Sequence, residues 1–367
     1  MSVVKGWCPG ALQPMESGDG WVVRVRPRGG RLSMAQAAGI AQAAEHHGNG
    51  LIDLTGRANL QLRGVTPATH APLITDLRRL DLIDADIATE TRRNIIVTPF
   101  ADIETDRLAT TLEAALAVST LTLPAKFGFA VDTGPAPVLT QTPADIRIER
   151  AADGHLLLRA DGMATGQPLT DMACALDLAA WFLSRGVTDG RGRMAALIAR
   201  GTTPPASLSP AVAAPIPGPG PVPQGMLVAL EFGQAGAATL TALAALGPIR
   251  LTPWRMLLIE GLHAAPDLPG LILDPADPRL RLRACTGAPG CPQAHAATRP
   301  LARSLAAQVP KGAVLHVSGC AKGCGWPHPA TVTLTATSQG FDLIRGGRAH
   351  DIPQLRGLPA ARLPEVL

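Results

Sequence analysis

Four of the six cysteines fall in two short stretches near the C-terminus: Cys285-Thr-Gly-Ala-Pro-Gly-Cys291 and, after 28 intervening residues, Cys320-Ala-Lys-Gly-Cys324. Four thiolates in two loops can hold a metal centre. Structural zinc favours knuckles with about two to four residues between ligands, and no nearby histidine falls at ligand spacing. A cubane is larger than one ion and takes one thiolate per iron, so unequal gaps suit a [4Fe–4S] cluster. Two disulfides are the competing use. They are disfavoured in a reducing compartment, and the N-terminal residues hold no leader-type apolar run, so the expectation is a cytoplasmic protein. Cys174 lies in an alanine-rich helical run and reads as a small core residue. Cys8 receives no role from the sequence.

The bulk properties narrow the classes. With 367 residues, 46% of them hydrophobic, the chain can bury a substantial core in two or three domains. A net charge of +4 gives no electrostatic case for nucleic acid, and no apolar run is long enough for a membrane. Of 33 lysines and arginines only Lys5, Lys126, Lys311 and Lys322 are lysine. Arginine is the better partner for carboxylates, although a GC-rich coding sequence accounts for the bias as a whole. Gly190-Arg-Gly192-Arg-Met-Ala195 fits a dinucleotide fingerprint but follows an apparent helix instead of a strand, so no nucleotide site is expected.

The elements that must position these residues repeat. A Pro/Gly-rich stretch over 203–225 reads as an irregular, semi-rigid linker dividing the chain. Before it come a strand at 20–26, a helix opened by the Ser33/Gln36 capping box, and strands at 50–55 and 58–63. After it come a strand at 226–232, a helix near 237–246 and strands at 248–252 and 254–260. The following segments pair too: strand 94–98, a helix near 106–117, strand 126–131 and a hairpin of 146–150 with 155–159. Their counterparts are strand 280–284, a helical stretch after Cys291 that Pro300 must kink or restart, strand 313–317 and a hairpin of 331–337 with 341–345. The expected class is α+β with an internal duplication. Ferredoxin-like half-domains span 1–85 and 226–275, and α/β domains span 86–202 and 276–367, the last carrying the cysteines.

With these motifs the chain resembles the sulfite and nitrite reductase superfamily over nearly its whole length. The likeness rests on the cysteine spacing, Val23-Arg24-Val-Arg26-Pro-Arg-Gly-Gly30, Leu54-Thr-Gly-Arg57-Ala-Asn59-Leu-Gln61-Leu-Arg63-Gly64, Arg93-Asn94 and Leu123-Pro-Ala-Lys126-Phe127. The resemblance implies that Arg24, Arg93 and Lys126 crowd one face of a tetrapyrrole. It also implies that Arg57 binds tetrapyrrole carboxylates and that Cys324 is the thiolate nearest the ring. Arg26 and Arg63 are weaker members of the same set. Bidentate arginine–carboxylate contacts give such a bowl its physical logic.

Within the superfamily, the reductases carry a second lysine where this chain has Gly128, which removes a cation and proton donor for a small anion. The chain is more similar to the precorrin-3B synthase branch. That similarity covers Cys8-Pro-Gly, Pro14-Met-Glu-Ser-Gly-Asp19-Gly20, Asp274-Pro-Ala-Asp-Pro-Arg279 and the stretches around the cluster cysteines. It implies O2-dependent hydroxylation of precorrin-3A at C20 with γ-lactone formation, in aerobic cobalamin biosynthesis. It further implies a mononuclear non-haem iron beside the cluster and electrons from a separate reductase or ferredoxin. Such iron takes two histidines and a carboxylate, and no such triad is visible. His328 in Gly325-Trp-Pro-His328 is the nearest candidate catalytic residue, with packing under the cluster as the favoured reading. The duplication would let a monomer form the site alone. A sirohaem-dependent sulfite or nitrite reductase is the alternative, and a simple iron–sulfur electron carrier ranks third.

Overall fold

A computed structural model describes residues 8–367; the N-terminal stretch up to Trp7 lies outside the described residues. Two antiparallel sheets, one of five strands and one of six, form the central layer. In the first, Gly20–Val25 pairs with Leu60–Val65, which pairs with Leu51–Leu54, and Met15–Ser17 flanks Gly20–Val25. Alternation sends Val23 and Val25 into the core and leaves Arg24 on the opposite face. In the second, Gly225–Leu230 pairs with Met256–Glu260, which pairs with Ile249–Leu251.

Each sheet is completed by a strand from the other half. Gln234–Gly236 adds to Leu51–Leu54, and Arg31–Leu32 adds to Ile249–Leu251. Beneath both sheets the helix Met34–His47 packs on the helix Ala237–Ala244. Ser33 and Gln36 cap the first helix reciprocally, as the sequence predicts, and Gly48 ends it. Small residues (Ala37, Ala41, Ala44 and Ala244) let the helices approach, and Ile40, Leu240 and Leu243 fill the shared core. Truncating Leu240 to alanine there costs about 2–5 kcal/mol.

Two α/β lobes flank this body and repeat one topology. In the first, Ile95–Val97, Phe129–Asp132 and Ile146–Arg150 run parallel, followed by antiparallel Leu156–Ala160 and Gln167–Pro168. In the second, Leu282–Ala284, Leu315–Ser318 and Ala330–Thr337 run parallel, followed by antiparallel Gly340–Gly347 and Leu355–Leu358. The crossover helix of the first lobe, Ile103–Val118, is capped by Asp102 and carries Glu104 and Asp106 in its first turn, which complements the helix dipole. Its counterpart Thr298–Ser304 is half as long, with Pro300 in the first turn, so the helix restarts there.

The structure corrects one expectation and adds an element. The 203–225 stretch is not irregular throughout: Gly220–Val222 forms an edge strand on Gly225–Leu230, the counterpart of Met15–Ser17 on Gly20–Val25. Proline lacks a donor but keeps its carbonyl, which suits an edge. Upstream, the same stretch lies against the first lobe, where Ala152 N donates to Ser209 O (2.9 Å) and Ala211 N to Arg150 O (2.8 Å). The added element is the helix Pro67–Arg79, opened by a Thr66/Thr69 capping box and burying Leu73, Ile74 and Leu77. Pro67 and Pro72 hide it in the sequence, yet Pro67 sits at a position where the missing N–H costs nothing.

Candidate functional site

The thiols sit where parallel strands end. Cys285 follows Leu282–Ala284 directly, and Cys320 comes two residues after Leu315–Ser318. Cys291 closes a turn in which its N–H donates to Gly287 O (2.8 Å), with Gly287 in the left-handed region at φ +68°. Glycines let the loops meet. A Cβ on Gly325 would lie 2.6 Å from Cys285 N, and one on Gly319 would lie 2.6 Å from Ala294 Cβ. Gly319 N donates to Cys285 Sγ at 3.2 Å. The first half clamps the Cys291 turn: Ser17 Oγ (2.8 Å) and Gly18 N (3.2 Å) both donate to Gly290 O.

All four thiols line one cavity of about 440 Å³, and none is in a disulfide. Burial, then the neighbouring Cys285 and Cys320, push the Cys324 thiol up from its ordinary range. Among the described residues no three His, Cys, Asp or Glu side chains converge closely enough for a single ion. Four thiols spread over the walls of a cavity are a donor set that fits a [4Fe–4S] cluster, one thiolate per iron.

A second cavity, about 610 Å³, shares Cys285 and Cys324 with the first. Its walls come from both halves: Arg24 and Gln61 from one, Trp254, Arg255 and Arg299 from the other, with His328 beside Cys324. Arg24 has a buried, unpartnered Nε; burial and then the neighbouring Arg26 lower its pKa to about 10. Arg255 donates through Nη2 to Gly325 O at 2.8 Å, while Nη1 is buried without a partner. His328 packs against Trp326 at 5.1 Å between ring centroids.

The other expected ring-binding residues stand elsewhere. Arg57 follows the cavity-lining Gly56, its Nη2 donating to Lys126 O at 3.0 Å and its Nη1 buried without a partner. Lys126 is exposed. Arg26 is buried on Glu90, with Nη1 3.2 Å from Oε1. Arg93 is buried and bidentate to Asp84 at 2.8 and 2.9 Å. Arg63 is bidentate to Asp19 at 2.7 and 2.6 Å and reaches Gly290 O, so it braces the Cys291 loop. Gly128 is buried, and a Cβ there would lie 2.8 Å from Asn94 Nδ2 and 3.1 Å from Arg57 Nη1. A side chain at this position would therefore have to push aside the ends of Arg57 and Asn94.

Sequence reasoning missed Arg255, Arg299 and Trp254. The signal was the duplication itself: Leu251-Thr252-Pro-Trp254-Arg255-Met repeats the place of Leu54-Thr55-Gly-Arg57-Ala58-Asn59. His316, placed in a strand as expected, is fully buried with both ring nitrogens unpartnered. Burial, then Arg255 and Arg283, lower its pKa to about 4, so it is neutral.

Comparison with known proteins fits this geometry. The model described as "Nitrite/Sulfite reductase ferredoxin-like half domain" matches residues 13–80. A precorrin-3B synthase from Sinorhizobium sp is 32% identical, over 96% of this chain and 85% of that protein. The chain belongs to the precorrin-3B synthase family. Among solved structures, the Mycobacterium tuberculosis NirA protein superposes with a TM-score of 0.64 at 18% identity, covering 94% of this chain and 79% of that one. The family therefore shares its fold with that protein. In this member, no helix among the described residues is long and apolar enough to cross a membrane.

Proposed function

We propose that this chain is a precorrin-3B synthase, hydroxylating precorrin-3A at C20 and closing the ring A acetate onto C1 as a γ-lactone. The observation that carries this reading is the junction of the two cavities: Cys285 and Cys324 face both the four-thiol pocket and a bowl walled by arginines from both halves. A flat polycarboxylate matches the bowl in charge, and Trp254 offers an aromatic surface at its wall.

Cys285, Cys291, Cys320 and Cys324 would hold the cluster, which when bound supplies single electrons from a separate reductase or ferredoxin. One atom of O2 enters the substrate and the other leaves as water with two electrons and two protons. Arg24 and Arg255 would hold carboxylate arms and fix the ring's orientation. Arg57 would stand beside the wall at Gly56. Arg26, Arg63 and Arg93, closed on Glu90, Asp19 and Asp84, would keep the strands and the cluster loop in place. A mononuclear iron belongs to this proposal without assigned ligands, and His328 is the side chain nearest to serve it. We place the enzyme in the cytoplasm as a monomer. Gly128 counts against the sirohaem-dependent reductase reading, because it leaves out the reductases' second cation.

The test is turnover of precorrin-3A by anaerobically purified, iron-replete protein after admission of O2 and a reductase with its reductant. A product heavier by one oxygen atom, with label from ¹⁸O2, supports the reading. Sirohaem in the acid–acetone extract with no oxygenated product sinks it.

A further inference from the structure

The duplication places two left-handed residues of unusual size in the bowl. Thr55 N bonds Asn59 O across the first turn, and Thr252 N bonds Met256 O across the second. The equivalent positions inside these turns are Ala58 at φ +51° and Arg255 at φ +64°. A second pair repeats the contrast: Gly29 and Gly30 in the first half, Phe232 at φ +56° and Gly233 in the second. Left-handed backbone is strained for any residue with a Cβ, and for bulky side chains it is an outlier that clusters at ligand clamps. The first half avoids that strain with glycine at Gly29 and Gly30 and carries it at Ala58 on the smallest side chain that has a Cβ. The second keeps it, and both strained side chains line the 610 Å³ cavity.

Arg255 is also under-partnered. Its guanidinium has five N–H bonds, and Gly325 O is its one hydrogen-bond acceptor among the described residues. Nη1 is buried without a partner, and no carboxylate lies within ion-pair reach among the described residues. Arg283 and Arg299 stand nearby, like-charged, while Asp53 attracts it from a distance. Burial and those two arginines lower the Arg255 pKa to about 9. A cation held this way is costly unless an anion joins it.

We propose that Arg255 is the second-half anchor for a carboxylate arm of the bound tetrapyrrole, and that its bond to Gly325 couples that arm to the loop of Cys324. The inference rests on the precorrin-3B synthase reading and assigns it a residue. Gly325 follows Cys324 directly, so a carboxylate that reorients this guanidinium acts on the backbone of a cluster ligand.

The experiment uses the full chain with its cluster and uroporphyrin III, a metal-free tetrapyrrole polycarboxylate, as probe. Binding is read by fluorescence, and the reduced cluster by electron paramagnetic resonance. Arg255→Gln is expected to weaken binding about 10–100-fold, the range for a charged hydrogen bond. Arg255→Gly guards against misfolding, because the left-handed backbone favours glycine. It should melt no lower than the wild type, lose affinity to the same degree, and lose the probe-induced change in the cluster signal. If either folded variant binds uroporphyrin as tightly as the wild type, Arg255 is not the anchor. A wild type that binds no uroporphyrin overturns the polycarboxylate bowl itself, and the anchor with it.

Discussion

The two α/β lobes close the same turn of chain in different ways. In the first, Thr98 follows the strand Ile95–Val97 and Asp132 ends its parallel neighbour; in the second, Cys285 and Ser318 hold those places. Asp132 Oδ2 accepts from Val138 N at 2.7 Å and Leu139 N at 2.8 Å, and Thr98 bonds the same carboxylate. One buried acid thus ties its loop internally. In the second lobe the matching loop carries Cys320 and Cys324, and its thiols face a cavity. The arginines divide the same way: Arg63 and Arg93 end on carboxylates, whereas Arg24 and Arg255 do not. Charges and donors that are satisfied within the chain build the scaffold. Arg24 and Arg255, left without a carboxylate at the wall of a cavity, are the ones open to a ligand.

The largest effect expected of this contrast is on the metal. Cys324→Ser should remove the cluster absorption and nearly all iron, while Asp132→Ala leaves iron at the wild-type level. Equal iron in both variants would abolish the distinction. Asp132→Ala should instead cost about 2–4 kcal/mol in denaturant unfolding, because two buried N–H groups lose their acceptor.

The third test concerns the strands between those loops, where His316 occupies the register position of Ala130. Its folded pKa of about 4 lies below the unfolded value of 6.5, so in that interval the unfolded chain binds a proton that the folded chain refuses. Stability therefore falls as the pH drops from 6.5 towards 4, by at most about 3 kcal/mol. His316→Gln should flatten that segment of the stability–pH curve. An unchanged slope would place the acid sensitivity elsewhere.

The smallest effect belongs to Gly128→Ala, whose Cβ presses on Asn94 and Arg57 and should cost about 1–2 kcal/mol in thermal or denaturant unfolding. Gly128→Lys adds the reductases' cation at the cost of displacing Asn94 and Arg57, and should give no sulfite reduction with a dye donor.

Much of this was legible in the sequence. The spacing picked out four thiols that the fold brings to one cavity, and period-two strands with the Ser33/Gln36 box pointed to the repeat. What stayed hidden depended on partners distant in sequence. Arg93 and Arg24 look alike along the chain, and only the fold shows that Asp84 neutralises one and leaves the other open. Arg255 was hidden for another reason: its importance lies in a backbone angle, which residue type disguises in Arg and advertises in Gly. The helix Pro67–Arg79 was masked by two prolines, one of them at a harmless first-turn position.

The reciprocal exchange of Arg31–Leu32 and Gln234–Gly236 has a mechanical consequence. The halves are laced together by backbone hydrogen bonds, so moving one half against the other would first have to break those two strand pairings. Under the proposed function, a tetrapyrrole would therefore enter and leave a bowl whose two walls share sheet hydrogen bonds. Adjusting the bowl to its guest would then fall first to wall side chains such as Arg24, Trp254 and Arg255.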